Sequence, residues 1–453
     1  MRPLKLVRFN ALAAYSRQPP IHVLTEELAW FEHANERVLG VVVRDRTDGD
    51  FAGVVFGRDR RGRFRAVYTT AFHPNRLHAK AYLRREMERI SMAPNEEHYQ
   101  GDEDGPPLDF FSSKLPRDKL SQDFLKLSET EAFVAARRII DPMMHWYEDP
   151  DGNFIEQFQT TGFNARIWEL YLFAAFVEMG YRIERIHAVP DFTCEGVLGE
   201  FAVEAVTVNP TRDKTGAVVP LPRLDTREAT HGFLRDYMPI KFGSALTTKL
   251  AKRYWKKPNV AGKPLLFAIQ DFSAPMSMVF TRSALPLYLS GYTHEWEHDP
   301  QGQLRVYPRK IPSHKWQGKE IPSGFFNLPE AENISAIVFS NSGTLSKFNR
   351  MGVLAGFGSP RVRMTRLGQA VDPTPNAVVP KDFKLSVNSP DYTETWVEGL
   401  DVYHNPKAKH PLDPSMIPGA AHYFIQPDGY IESVSPAWHP LGSVTHIEVQ
   451  GEP

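Results

Sequence analysis

Apolar and polar positions change period along this chain: short strand-like runs at both ends, helical spacing through the middle. Val38–Val43, Phe51–Phe56 and Phe64–Thr69 are β-branched or aromatic runs separated by turn sequences, so residues 1 to about 75 are predicted to form an antiparallel meander. A helix is expected over His78–Ile90 and an acidic loop over Glu96–Pro107. Leu115–Trp146 reads as mostly helical, with Ala135, Ile139 and Met143 on one buried stripe, and Glu148–Asn153 as a turn. The clearest helix is Phe163–Met179, which is apolar on nearly every face and stopped by Gly180.

Two strand-like runs follow, Ile183–Phe192 and Phe201–Val208, with Gly196 and Gly199 between them. Pro210–Met238 has no period and reads as an insertion with a helical tail. Ser244–Trp255 is predicted as a helix with Ser244 as its N-cap and an apolar stripe of Leu246, Leu250 and Tyr254. Pro264–Phe272 is a buried strand, Ser283–Leu289 a helix and Asn333–Ser340 a strand; the Pro-rich remainder is β-rich and irregular, with short runs such as His422–Gln426. The order helix, strand, turn, strand, helix, strand defines a mixed α/β sheet. The expected division is 1–110, a β-meander plus helix; 111–275, the α/β core; and 276–453, a β-rich region whose strand 333–340 is a candidate addition to the core sheet.

The formal net charge of −1 excludes a globally basic nucleic-acid binder, so any such surface must be local. Cys194 is the single cysteine, which rules out an internal disulfide framework and fits a cytoplasmic location. The N-terminal stretch has no apolar core of signal-peptide length, and no run is long enough to span a membrane.

Candidate chemistry centres on the hairpin. A turn at Val197–Leu198 puts Asp191 directly opposite Glu204, with Cβ atoms ~5 Å apart. Glu204 lies inside the apolar run Phe201–Val208, where a carboxylate is costly unless paired or metal-bound. Two such carboxylates repel unless a cation lies between them or one takes up a proton, and Mg²⁺ suits a site of few carboxylate oxygens. Glu169, in the buried helix, either bonds a neighbouring Arg or Tyr or faces this pair. Lys249, Lys252, Arg253 and Lys256 make a cationic stripe, either a wet helix face or a phosphate rail. Two further basic clusters are noted: Arg58, Arg60, Arg61, Arg63 and Arg65 at a hairpin tip, expected as solvated charge, and Lys347, Arg350, Arg361, Arg363 and Arg366 as a local patch with Phe348.

The element order, Pro190–Asp191, Glu204 and Glu169 together resemble the PD-(D/E)xK nuclease superfamily, with its restriction-endonuclease-like fold, over roughly Ala135–Phe272. The resemblance implies Mg²⁺- or Mn²⁺-dependent phosphodiester hydrolysis, on DNA before RNA, in restriction, defence or the processing of mobile DNA. It implies that Asp191, Glu204 and the Ala205 carbonyl hold the metal, that Glu169 orders a metal-bound water, and that Lys249 neutralises the attacked phosphate. Lys241, Lys252, Arg253 and Lys256 would contact nucleic acid. The family's lysine, two residues after the second acid, is replaced here by Val206. Lys249 from the next helix is the expected substitute, with Lys252 or Lys241 behind it; failing these, the module binds nucleic acid or protein without cutting. Homodimer and accessory protein are both open as partners.

His294-Glu-Trp-Glu-His298 matches the H-E-x-x-H pattern of zinc hydrolases, which requires a continuous helix. Pro300 would end one at once, so an exposed helix end or loop is expected. His314 or Glu320 would be the third ligand in the zinc alternative. Cys194 with His187 is a weak thiol pair.

Overall fold

The computed structural model describes residues 1–103, 105, 107–147, 149, 152–184 and 187–451. Five consecutive strands, β1 (Arg2–Leu4), β2 (Thr25–His33), β3 (Val38–Asp45), β4 (Phe51–Arg58) and β5 (Phe64–Thr69), form the N-terminal antiparallel sheet in chain order. Both of its faces are buried. Val38 and Val42 pack with Val55 against Leu83, Met87 and Ile90 of α1 (Arg76–Met92), while Leu39, Val41 and Val43 join the main core. Gly40 and Gly53 allow this close seat: a Cβ at either would lie within 2.7 Å of Met87 or Leu83. Asn75 caps α1 by accepting from the Leu77 and His78 N–H groups.

The second sheet has eight strands: β6 (Arg182–Glu184), β7 (Phe192–Gly196), β8 (Gly199–Val208), β9 (Leu265–Asp271), β10 (Ala336–Ser340), β11 (Leu400–His404), β12 (Ala421–Ile425) and β13 (Ile431–Val434). They also lie side by side in chain order. The pairs β8/β9, β9/β10 and β11/β12 are parallel and the rest antiparallel, so the sheet is mixed. It spans the chain from residue 182 to residue 434, and the strand expected over 333–340 joins it as β10. Two exposed hairpins and a three-stranded sheet of Lys381–Ser386, Val362–Ala370 and Pro440–Val449 complete the C-terminal part.

Helices cover both faces of the large sheet. On one side lies α2 (Phe163–Glu178), buried nearly all round; its Trp168 donates to the Ala268 carbonyl at 2.9 Å, and Phe176 meets Phe192 and Phe201 edge-on. On the other lies α3 (Met238–Leu250), whose Phe242 meets Phe339 of β10. No helix among the described residues is long and apolar enough to cross a membrane.

Several expectations are corrected. The run Ile183–Phe192 holds parts of two elements, β6 and the first residue of β7, with bends over 187–191 before β7. The Leu115–Trp146 region is two helices, Gln122–Glu129 and Val134–Trp146, and the 148–153 turn falls partly outside the described residues. Ser244 is not an N-cap: α3 begins at Met238, continuing a wider helical turn over Phe233–Tyr237, which places Ser244 mid-helix. The hairpin-tip arginines are anchored more than solvated. Arg63 pairs with buried Asp59 at 2.7 Å, Arg65 with Asp102 at 2.5 Å, and Arg58 lies over Phe64.

The basic patch at 347–366 is largely interior. Lys347, Arg350 and Arg366 are buried around Glu394 and Glu398, with Lys347 and Arg350 each within 2.9 Å of Glu394. Three cations beside two carboxylates form a largely buried knot, of which Arg350 also reaches the wall of a cavity.

Candidate functional site

The hairpin register is the one its sequence requires. Gly196 faces Gly199 across Val197–Leu198, and the ladder runs without a bulge to Phe192 opposite Val203. One more step in that register brings Asp191 level with Glu204. Strand β7 ends there and β8 continues, so from Glu204 onward the outer edge of β8 has no neighbouring strand. Even-numbered residues of β8 bond toward β9, as the Val208 carbonyl does with the Phe272 N–H at 2.8 Å. Odd-numbered residues therefore turn N–H and C=O together toward the open edge. Asp191 fills part of it: its Oδ2 accepts from the Ala205 N–H at 2.7 Å, and the Ala205 carbonyl opens on the same side.

Around this edge lies a cavity of about 370 Å³ lined by Arg166 and Glu169 of α2, Asp191, Ala205–Thr207 of β8, and Thr248 and Lys249 of α3. Larger cavities of about 780 and 640 Å³ lie beside the C-terminal three-stranded sheet, each with a single acidic residue in its wall, and one of about 420 Å³ at the N-terminal sheet has Glu32 and Glu36, which are ion-paired with Arg2 and Arg8. The chemistry therefore selects the smaller one.

Glu204 is 3% exposed on the α3 side of the sheet. Its Oε1 takes both the Lys249 ammonium and the Tyr254 hydroxyl, the latter at 2.7 Å, while its Oε2 is buried with no hydrogen-bond partner. Glu169, on the α2 side, accepts from Arg166 at 2.8 Å on both oxygens and from the Tyr147 hydroxyl at 2.6 Å. The hydrogen bonds to a neighbouring Arg and Tyr are thus the ones expected of it, and it shares the cavity wall with Asp191. Burial, then the charges of Glu204 and Glu169, push the Asp191 carboxyl well above the usual carboxylate range; Lys249 and the Ala205 N–H pull the other way. Burial and the Glu204 charge likewise raise the Tyr254 phenol.

The structure thus brings Glu169, Asp191, Glu204, Ala205 and Lys249 together. It does not bring in the other cations. Lys241 lies two helical turns earlier, donating to the Asn209 carbonyl at 2.8 Å. The helix ends at Leu250, so Lys252, Arg253 and Lys256 do not continue the Lys249 stripe; all three are exposed, and Arg253 pairs with Glu330 at 2.9 Å. Val206, two residues after Glu204, is buried.

Two groups escaped the sequence reading. Tyr254 was placed on an apolar stripe, but Arg253 adopts a left-handed conformation (φ 53°) that folds the chain back and returns the Tyr254 hydroxyl to Glu204. Arg166 carried a signal in plain view, since it stands three residues before Glu169 on one helix.

The competing constellations do not form. His294–His298 lies on a strand, Tyr292–His298, of an exposed hairpin, not in a helix end or loop, and the two imidazoles bond separate carbonyls, those of Gly429 and Asn376. Alternating polar and aromatic positions 294–298 fit a strand paired on one side. His314 is buried between the Arg235 carbonyl and Ser323. Cys194 is fully buried, which raises its thiol pKa, whereas His187 is exposed.

Among the described residues, no three His, Cys, Asp or Glu side chains converge as metal ligands. The smaller set present, two carboxylates and a main-chain carbonyl with one carboxylate oxygen unpartnered, suits a hard cation that retains its own waters. In comparisons with protein-family models, curated protein sequences and solved structures, the chain matches none.

Proposed function

We propose that this chain is a divalent-metal-dependent nuclease of the PD-(D/E)xK type, cutting phosphodiester bonds in DNA. The observation that carries the reading is Asp191, in the cavity wall and bonded to the Ala205 N–H beside buried Glu204, with Lys249 of the same wall delivered from the following helix to Glu204, the acid whose strand lacks the family's lysine. The order α2, β6, β7, β8, α3, β9, with β8 parallel to β9, agrees with that family's core.

Asp191, Glu204 and the Ala205 carbonyl are the groups that would hold Mg²⁺ or Mn²⁺. When bound, such a cation lowers the pKa of a coordinated water and stabilises charge on the attacked phosphate. The chain's own groups supply the rest. Lys249 is long enough to exchange Glu204 for a phosphate oxygen, offering a positive charge where negative charge develops. Arg166 and Tyr147 fix the orientation of the Glu169 carboxylate at the cavity wall. The unpaired edge of β8 leaves room for a phosphodiester beside the two acids.

Purified protein incubated with plasmid and linear DNA in Mg²⁺, Mn²⁺ or chelator tests this. Metal-dependent cutting that disappears in Asp191→Ala and Glu204→Ala supports it. The buried Val206 favours a second reading, a module that binds nucleic acid or protein without cleavage; DNA binding with no cutting in any metal would establish that one instead.

A further inference from the structure

Away from the cavity, the N-terminal module carries a surface whose chemistry no part of the cleavage reading uses. Helix α1 holds Arg76, Lys80, Arg84, Arg85 and Arg89 against Glu86 and Glu88, in a chain whose total charge is −1. Glu86 is buried, and both Arg85 and Arg89 lean on it, at 3.2 and 2.7 Å. Two guanidiniums thus share one carboxylate, and the surface above it remains positive.

The rings lie among these charges. His78, Tyr82, Arg85 and Arg89 recur at spacings of four, three and four, one stripe of the helix, next to the buried stripe of Ala79, Leu83, Glu86 and Ile90. His73 stands edge-on to His78 and Tyr82, with ring centroids 4.6 and 6.2 Å away. Arg85 packs over Tyr82, and Arg89 reaches across to Tyr68 on β5 at 5.5 Å. Tyr68 and Tyr82 are each 40% exposed, and β5 is the edge strand of its sheet. Solvent-facing rings alternating with arginines are what a nucleic-acid strand recognises: bases stack on the rings while guanidiniums hold the phosphates.

We propose that this seam between α1 and β5 binds single-stranded nucleic acid, with Tyr68 and Tyr82 as stacking platforms and Arg85 and Arg89 as phosphate contacts. A single strand is favoured over a duplex because exposed ring faces are useful only to unpaired bases. The surface stands apart from the cavity, so the proposal does not depend on cleavage.

The test uses the full-length chain in chelator and the fluorescence anisotropy of a labelled oligothymidylate of about 20 nucleotides, which stays unpaired. Tyr82→Ala and Tyr68→Ala should each weaken binding about tenfold, and Tyr82→Phe should retain the affinity. Arg89→Gln should reduce the slope of log affinity against log salt by about 0.7. The proposal is overturned if the tyrosine variants bind like the parent, if a duplex of the same length binds as tightly through the same residues, or if a polyglutamate peptide competes as well as the oligonucleotide, which would indicate an acidic protein partner. Strand binding without metal-dependent cutting would sink the nuclease reading and leave this one standing.

Discussion

Lys249→Ala is the substitution that separates a working site from a relic. The lysine side chain is 25% exposed and the Glu204 side chain it neutralises is 4% exposed. Removing one partner of a buried pair costs ~3–5 kcal/mol; here the Tyr254 hydroxyl stays on the same oxygen and the lysine is partly wet, so a loss of ~1–3 kcal/mol is expected without metal. On the proposed reading a divalent cation held by Asp191 and Glu204 would replace the missing charge, so millimolar Mg²⁺ should restore most of that loss, and more so than in the parent protein. Cleavage should not return with stability. A positive group aimed at developing charge is worth about 10²–10³ in turnover, which Mg²⁺ at the acids does not supply. The assay pairs plasmid nicking at saturating DNA with thermal unfolding, each with and without Mg²⁺; DNA affinity should change by no more than a few-fold, since one phosphate contact of several is removed. Unchanged turnover would refute the role given to Lys249, and so would a fall in cutting matched by an equal fall in binding.

Other expectations follow from single contacts. Asp191→Asn should abolish Mg²⁺-dependent cutting and the Mg²⁺-induced rise in melting temperature, yet raise metal-free stability at neutral pH, because a carboxyl held above its ordinary range is destabilised when ionised. His404, stacked on Phe424 and bonded to His422 at 2.9 Å, is lowered by burial and then by His422 to about 4. The unfolded chain takes up that proton first, so stability present above pH ~6.5 should fall by up to ~3 kcal/mol as the pH drops to 4, and His404→Phe should flatten this part of the curve in urea titrations. Lys347→Met should lower stability by no more than ~1–2 kcal/mol in denaturant titrations, because Arg350, Arg366 and Tyr392 stay on Glu394, with no change in nucleic-acid affinity. Metal analysis of the purified protein should find no stoichiometric zinc that depends on His294.

How far the sequence could be read tracked how local the causes were. The β7–β8 register was legible because a two-residue turn and strand alternation fix it, and no bulge intervenes. The buried helix α2 was legible from its all-round apolar surface. Lys249 could be reached by asking where a positive charge must come from once Val206 is in place. The arginine–lysine patch around residue 350 misled because its counter-ions, Glu394 and Glu398, lie some 45 residues away, on a stretch with no periodic pattern. Tyr254 misled because a left-handed turn at Arg253, invisible in a helical wheel, reversed the side it faces. The rest of the large sheet was hidden by its short strands, whose partners are set by long-range packing and not by propensity.

Both sheets are laid down in the order in which the chain is written. After the first strand of each sheet, every strand lies beside the one that precedes it in that sheet's chain order, so the acid-bearing strands stand near one margin and the later strands extend away from them. The rim at β13 is the last course of the large sheet and the farthest removed from Asp191. Changes there, whether a lost strand or a grafted one, would reshape the outline of the molecule while leaving its chemistry at the opposite margin.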